Sequence, residues 1–267
     1  MSTVEAGYEP TFLGPPVPLP VPAQTVRELA STHFTVLLDP RRRLAAATAV
    51  NIDGAQLVDL ERGDDWHLDP RVPAAEQAGP ELYARNDLDR GHLVRRRDPV
   101  WGDLVTARRA NLDTFAYPNA APQASAFNQG ELLWVGLEDH VLEYARARRS
   151  RVSVFTGPVL ADDDPLYRGV QIPRLFWKVA AWVSADRLRA TAFVLDQTPF
   201  VTRLQTAADE LPPLGPFRTF QVPVDDVAAL TGIDLGPLVS ADVLAAVGAR
   251  GDRERWVPLT SVGGIRL

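Results

Sequence analysis

The 267-residue chain contains no cysteine. That excludes disulfides, thiolate metal sites and a cysteine nucleophile together. Lysine is almost missing as well: Lys178 is the single one, and every other basic side chain among the 28 is arginine. A GC-rich coding bias accounts for this without invoking function. The arginines do cluster, however, as triplets at 41–43 and 95–97 and as pairs at 108–109 and 148–149. No apolar run approaches the roughly 20 residues that a membrane helix needs. The first 25 residues carry neither a basic start nor an apolar h-region, so they do not read as an export signal. The expectation is a cytoplasmic protein with no membrane partner, although delivery as a toxin stays open. The GxSxG elbow, the P-loop and the HExxH motif are all absent, which disfavours the hydrolases built on them. A net charge of −6 argues against broad attraction to polyanions. A nucleic-acid partner would therefore need a local basic groove.

What is present suits one folded domain. Apolar residues make up 46 %, enough for a sizeable core, and the length sits at the upper end of what one core supports. Six prolines within the first 22 residues predict an extended arm over residues 1–30, leaving 31–267 as a single domain. Within that arm "PPVPLP" has the look of a polyproline docking segment, but a strap on its own domain is the plainer reading. "HFTVLLD" and "LAAATAVNIDG" read as a strand pair, and "RVSVFTGPVL" as a third strand. "VQIPRLFWKVAAWVSA" and "RATAFVLDQ" predict a long hairpin turning at Ala185-Asp186. A helix is predicted from Glu131 to Arg148, with Leu133, Leu137, Val141 and Tyr144 as its buried stripe. Residues 93–128 read as a long connection, and short helices are expected near 224–231 and 240–248. The fold class is α+β, a central antiparallel sheet flanked by helices.

Four histidines are available to do chemistry. His33 opens an apolar strand, His67 lies in a polar turn and His140 sits on the predicted helix, all places where structural roles suffice. His92 differs, because "NDLDRGH" puts Asp89, Arg90 and Gly91 directly before it. An imidazole beside a carboxylate can act as a general base near neutral pH, and an arginine supplies a fork for phosphate. Downstream stand Asn119 in "YPNAAPQ" and Asn128 in "FNQG". An amide oxygen is a weak hard-cation ligand that leaves most of the coordination sphere to water and substrate. Glu138 flanks the apolar stripe and could hold a metal-bound water. The carboxylates of "GDDWHLDPR" and "ADDDP" read as solvated turns rather than a second metal site.

In order along the chain, "DRGH", "TFAYPNAAPQ", "FNQG…LWVGLED", "VFTGPV" and "IPRLFWKV" resemble the DNA/RNA non-specific endonucleases of the ββα-metal (His-Me finger) class. The resemblance reaches, more faintly, to "VDDVAALTGIDL" and covers roughly residues 33 to 236. It implies a ββα-metal motif and a metal-dependent, sugar-non-specific endonuclease acting on DNA and RNA. His92 would be the general base and Asn128 the one direct ligand of a divalent cation, usually Mg²⁺, with Mn²⁺ as an alternative. Arg90 would bind phosphate, Glu138 would hydrogen-bond metal waters and Asn119 would shape the loop near His92. Arg42, Arg43 and Arg95, from the two triplets, are candidate contacts to the phosphate backbone. Glu138 lies ten residues after Asn128, against eight in better-known members. Two added residues in the turn leave Glu138 in place. Within the helix they would rotate it by about 200°, making Glu131 the rival.

The implied reaction is attack by water, leaving 5′-phosphate and 3′-hydroxyl ends. A catalytically silent nucleic-acid-binding or regulatory domain of the same fold is the alternative, but it would have been signalled by loss of His92 or Asn128, and both are present. An unregulated nuclease endangers its own cell, so an inhibitor or regulatory protein is an expected partner. Oligomeric state is left open, a homodimer included.

Overall fold

The computed structural model describes residues 7–124, 134–199, 201, 218–245, 256–259 and 264–265. The strands of its main sheet are β1 (Arg27–Ser31), β2 (Phe34–Asp39), β3 (Leu44–Asp53), β6 (Arg151–Val159), β9 (Leu175–Ser184), β10 (Arg187–Asp196), β11 (Arg218–Val222) and β12 (Val257–Pro258). They pair in that spatial order, every neighbour antiparallel. Two further ribbons are formed by β4 (Leu88–His92) with β5 (Ala120–Ala124) and by β7 (Leu166–Tyr167) with β8 (Val170–Gln171). The helices are α1 (Pro80–Tyr83), α2 (Leu104–Asp113), α3 (Trp134–Arg148), α4 (Val224–Thr231) and α5 (Pro237–Ser240). The expected α+β class is the one found.

Both faces of the sheet are covered, which is why its central strands read as nearly unbroken apolar runs rather than alternating ones. On one face Val50, Ile52, Val154, Phe176, Ala180 and Phe193 meet Val141, Leu142 and Ala145 of α3 and Leu93, Val94 and Ala121 around the β4–β5 ribbon. On the other face Ala49, Phe155, Trp177, Val179 and Val194 meet Val224 and Val227 of α4 and Leu238 of α5. The amino-terminal strap completes that second layer with Tyr8 and Val17. The Tyr8 hydroxyl donates to Val17 O at 2.9 Å, and Val21 pairs with Asp234. In the "PPVPLP" stretch Val17 and Pro20 are buried and Leu19 half-buried against the chain's own sheet.

The β9–β10 hairpin turns where expected, because Ala185 and Asp186 both take positive φ (49° and 58°), the twist a two-residue turn requires. Four details differ from the sequence-based expectation. Strand β1 lies across the end of the extended arm expected over residues 1–30, and it pairs with β2 over its whole length as part of the sheet. The stretch before β9 is broken at Pro173, which cannot donate to a ladder, so β8 is separate. Helix α2 interrupts the expected long connection. Its N-cap Asp103 accepts from Val105 N and Thr106 N, but only Ala107 and Ala110 are buried, so it has no apolar stripe to read. The helix expected at 240–248 stops at Ser240, and 241–245 form turns. There Ala241 O and Val243 N bond Ala190 of β10, and the Asp242 carboxylate accepts from Val224 N, which spends the backbone on the sheet.

Helix α3 follows β4 and β5 in the chain, giving the strand–strand–helix order of a ββα motif. Of its expected stripe, Val141 is buried and Tyr144 half-buried, while Leu133 and the Leu137 side chain lie outside what the structure describes. The buried face runs through Glu138, Val141, Leu142 and Ala145, so Glu138 faces inward. The helix closes onto β3 at Gly54, whose N donates to Ser150 O at 3.0 Å. A Cβ on Gly54 would stand 2.0 Å from the Ala145 carbonyl oxygen, and backbone cannot swing aside. Gly54→Ala is accordingly expected to lower stability by about 1–3 kcal/mol. Gly63→Ala, where the nearest atom to a Cβ is 3.7 Å away, should leave the melting temperature unchanged. Thermal denaturation of the two variants checks this.

Candidate active site

His92 ends β4, and the antiparallel register sets it opposite Ala120 with Arg90 opposite Pro122. Alternation along the strand puts Arg90 and His92 on one face of the ribbon and Asp89 and Gly91 on the other. Gly91 is needed for close approach, because a Cβ there would meet Gln123 Cδ at 2.1 Å. Beyond His92 the chain is pinned by Asn119. Its Oδ1 accepts from Val94 N at 2.8 Å, and its Nδ2 donates to Val94 O at 3.0 Å and Thr114 O at 2.9 Å. The Asn119 backbone carbonyl takes Leu93 N at 3.0 Å. Asn119 is fully buried and spends its amide on the backbone beside His92.

The imidazole is packed between aromatics. Trp66 lies 4.6 Å away and Phe115, edge-on, 5.2 Å away, ring centre to ring centre. The Arg90 guanidinium sits over the Trp66 ring at 5.4 Å and reaches to 3.6 Å from Asp64 Oδ1. His92 Nε2 is buried and has no hydrogen-bond partner among the described residues. Burial holds the ring's pKa down at about 3, helped by the positive charges of Arg62, Arg96 and Arg90. The ring is therefore neutral at physiological pH.

A cleft of about 700 Å³ opens over this ring. Five arginines line it (Arg62, Arg90, Arg95, Arg96 and Arg97) against the carboxylates of Asp64, Asp89 and Glu138. The local balance is thus positive in a chain whose net charge is −6. Arg96 is crowded enough that burial, Arg62, Arg97 and Arg95 together lower its pKa. Arg95 donates to Asp139 Oδ1 at 2.5 Å and lies 3.5 Å from Glu138 Oε2. Behind it, Glu138 Oε1 accepts from Lys178 Nζ at 3.0 Å. Asp98 is buried beside these groups, and desolvation raises its pKa to about 7 despite Lys178 and Arg95. Trp66, Tyr83 and Tyr117 form an aromatic wall.

Among the residues singled out from sequence, His92, Arg90, Glu138 and Arg95 meet at this cleft, with Asn119 packed beneath it. Asn128 and its rival partner Glu131 lie outside the described residues. Arg42 and Arg43 are not part of the cleft. Arg42 is held by Asp164 Oδ2 at 3.0 Å and Ala161 O at 2.9 Å. Arg43 donates to Gln77 O and Glu81 Oε1, so both brace loops instead of facing the histidine. Asp163 and Asp164 in turn pair with Arg174, in keeping with a structural acidic turn. His33 is likewise structural, stacked on Trp101 at 3.5 Å with Nδ1 at 2.8 Å from Pro99 O.

Arg62, Trp66, Arg96 and Arg97 were not singled out as site residues. The triplet at 95–97 was a signal for the last two. For Arg62 and Trp66 the signal was weaker: a large aromatic in an otherwise polar stretch needs a partner, and that partner is His92.

Both the sequence and the fold have counterparts in known proteins. An uncharacterized protein, y4fB, of Sinorhizobium fredii is 41 % identical over 266 residues, covering 88 % of this chain and 40 % of its own length. This chain thus spans about two fifths of that relative. A nuclease of Nostoc sp. is 23 % identical over 226 residues, covering 84 % of this chain and 78 % of its own. Among solved structures, the crystal structure of the EndoG/EndoGI complex matches with a TM-score of 0.57 at 22 % identity, over 78 % of this chain and 84 % of that one, which shows a shared fold. The sequence profile of the DNA/RNA non-specific endonucleases matches residues 17–242, and the chain belongs to that family.

Proposed function

We propose that the protein hydrolyses phosphodiester bonds in DNA and RNA, with His92 as the general base. The observation that carries this reading is the buried, unpartnered Nε2 of a neutral His92 under an arginine-lined cleft. A phosphodiester is a charged and slow electrophile, so its catalyst must supply charge complementarity and a positioned proton acceptor. His92 Nε2 takes the proton from a water aligned with phosphorus. Arg90 offsets charge on the phosphate oxygens. Arg62, which makes no ion pair among the described residues, is available to grip a neighbouring phosphate. Asn119 positions His92 through the backbone of residues 93–94. Water is the nucleophile and the 3′-oxygen leaves, so the ends are 5′-phosphate and 3′-hydroxyl, and no 2′-hydroxyl takes part.

The cleft wall suits a hard cation bound mostly through water. Glu138 contributes a carboxylate, and the described residues hold no group of three His, Cys, Asp or Glu side chains able to cage an ion. Asn128 is the proposed direct ligand. Bound there, a divalent cation such as Mg²⁺ or Mn²⁺ would supply charge neutralisation for phosphodiester cleavage. The fold neighbour EndoG was solved in an inhibitory complex with EndoGI, and a protein inhibitor is the regulator we propose here too. A silent binding domain is the reading to exclude.

Plasmid DNA and a folded RNA incubated with purified protein should both be cut with Mg²⁺ and spared with EDTA. His92→Ala should lower kcat by about 10²–10⁴-fold without weakening oligonucleotide binding in EDTA. Intact substrates under every divalent metal would favour the silent domain. The unprotonated ring is the active form, so activity is lost only as pH falls through the folded-state pKa. With that value at about 3, kcat/KM should cross the ordinary imidazole pKa of about 6.5 without an acid-side drop. A limb at 6.5 would count against the buried-base geometry. Arg62→Ala should raise KM and reduce the slope of log K against log salt by about 1, as expected for one lost phosphate contact. Salt-dependent binding measurements decide it.

A further inference from the structure

Lys178 is the single lysine in a chain whose other 27 basic residues are arginine, 28 less one. It stands in the middle of β9, in register with Thr156 of β6 and Phe193 of β10, and only 1 % of the residue is exposed. Phe176 and Ala180, two residues to either side, belong to the sheet face that carries α3 and the β4–β5 ribbon. Strand alternation puts Lys178 on that face. Its ammonium rises from the sheet and donates to Glu138 Oε1 at 3.0 Å. Glu138 is itself only 8 % exposed, and what is open faces the cleft.

A buried ion pair is a poor way to stabilise a sheet, since apolar residues of similar volume often do as well or better. The pair therefore invites a functional account. Glu138 has a long, rotatable side chain on the inward face of α3. Without a fixed partner on Oε1 it could turn either toward the cleft or toward Arg95, whose Nε lies 3.5 Å from Oε2. An ammonium on a slender stem can reach a carboxylate from the centre of a packed sheet. A guanidinium there would bring five donors to a site too enclosed to satisfy them.

We propose that Lys178 is a positioning residue: it clamps one oxygen of Glu138 so that the carboxylate is presented to the His92 cleft in a single orientation. This rests on the nuclease reading and on Glu138 acting within it. Lys178 touches no substrate and acts on the site through Glu138.

The test compares Lys178→Met, Glu138→Gln and the double variant, each measured for kcat and KM with Mg²⁺ on one DNA substrate. Melting temperature and the Kd for the same oligonucleotide in EDTA are read alongside, with His92→Ala as reference. Lys178→Met is expected to lower kcat about 10–100-fold, the usual effect of losing an outer-shell partner. KM and the metal-free Kd should hold within about 3-fold. Glu138→Gln should cost at least as much, and the double variant no more than Glu138→Gln alone, because the two act as one unit. The double variant should also recover melting temperature lost by Lys178→Met, which leaves Arg95, 3.5 Å away, as the remaining cation partner of the buried Glu138 carboxylate among the described residues. Lys178→Gln keeps a donor on a shorter stem and takes the place of Lys178→Met if that variant does not fold; its kcat should fall less. A lysine variant that melts earlier but keeps wild-type kcat would overturn the proposal, as would losses that multiply in the double variant. Full kcat in Glu138→Gln with His92→Ala inactive would overturn it too, while sparing the nuclease reading. An active His92→Ala would instead strike that reading itself.

Discussion

The Asn119 amide ties together the backbone at residues 93–94 and at Thr114, at the point where the β4–β5 ladder ends. Its carbonyl and both its donors go to the backbones of Val94 and Thr114, and its own carbonyl holds Leu93. An unpaired buried amide costs about 1–3 kcal/mol per lost partner, so the arrangement is all or nothing. Because it closes at residues 93 and 94, it fixes the exit of β4 and with it the direction of the His92 ring. Trp66 and Phe115 then fill the two remaining sides of the imidazole. With the backbone pinned and the ring enclosed, Nε2 is left buried without a hydrogen-bond partner among the described residues.

Charge is handled by separation. The chain is acidic overall, yet the cleft gathers arginines from the loop at 62, the ribbon at 90 and the triplet at 95–97. Burial does most to suppress protonation of His92, and Arg62, Arg96 and Arg90 add to it, so the ring stays neutral among these cations. Below the cleft, Lys178, Glu138, Arg95 and Asp98 form a buried layer of mixed charge between sheet and ribbon. Its cost in desolvation is tolerable only because each member faces an opposite charge.

Much of this was legible in the sequence, and the limits are instructive. The long strands announced themselves because both faces of the sheet are covered and the runs are apolar without interruption. Ala185-Asp186 marked a tight turn, and Gly91 before His92 marked close packing. Local strings also brought out His92, Arg90 and Glu138, since four or five adjacent residues suffice to state their chemistry. The arginines were harder. Side chains of one type at 41–43 and 95–97 look equivalent in a sequence, but only the second triplet is carried to the cleft, by its covalent tie to β4. Helix α2 was hidden because alanine, not leucine, forms its buried face. Trp66 was hidden because its partner lies 26 residues away, across a loop with no periodicity. Nothing local could report either.

The central claim is that a neutral imidazole at position 92 performs the proton transfer. Chemical rescue tests it most directly: His92→Gly with free imidazole added to the cleavage reaction, against substituted imidazoles of differing pKa. The account predicts that imidazole restores cleavage in a saturable way, with rates that track the basicity of the added ring and with substrate affinity unchanged. If the variant cleaves at the wild-type rate without rescue, or if no imidazole restores cleavage while the folded variant still binds nucleic acid, His92 is not the base.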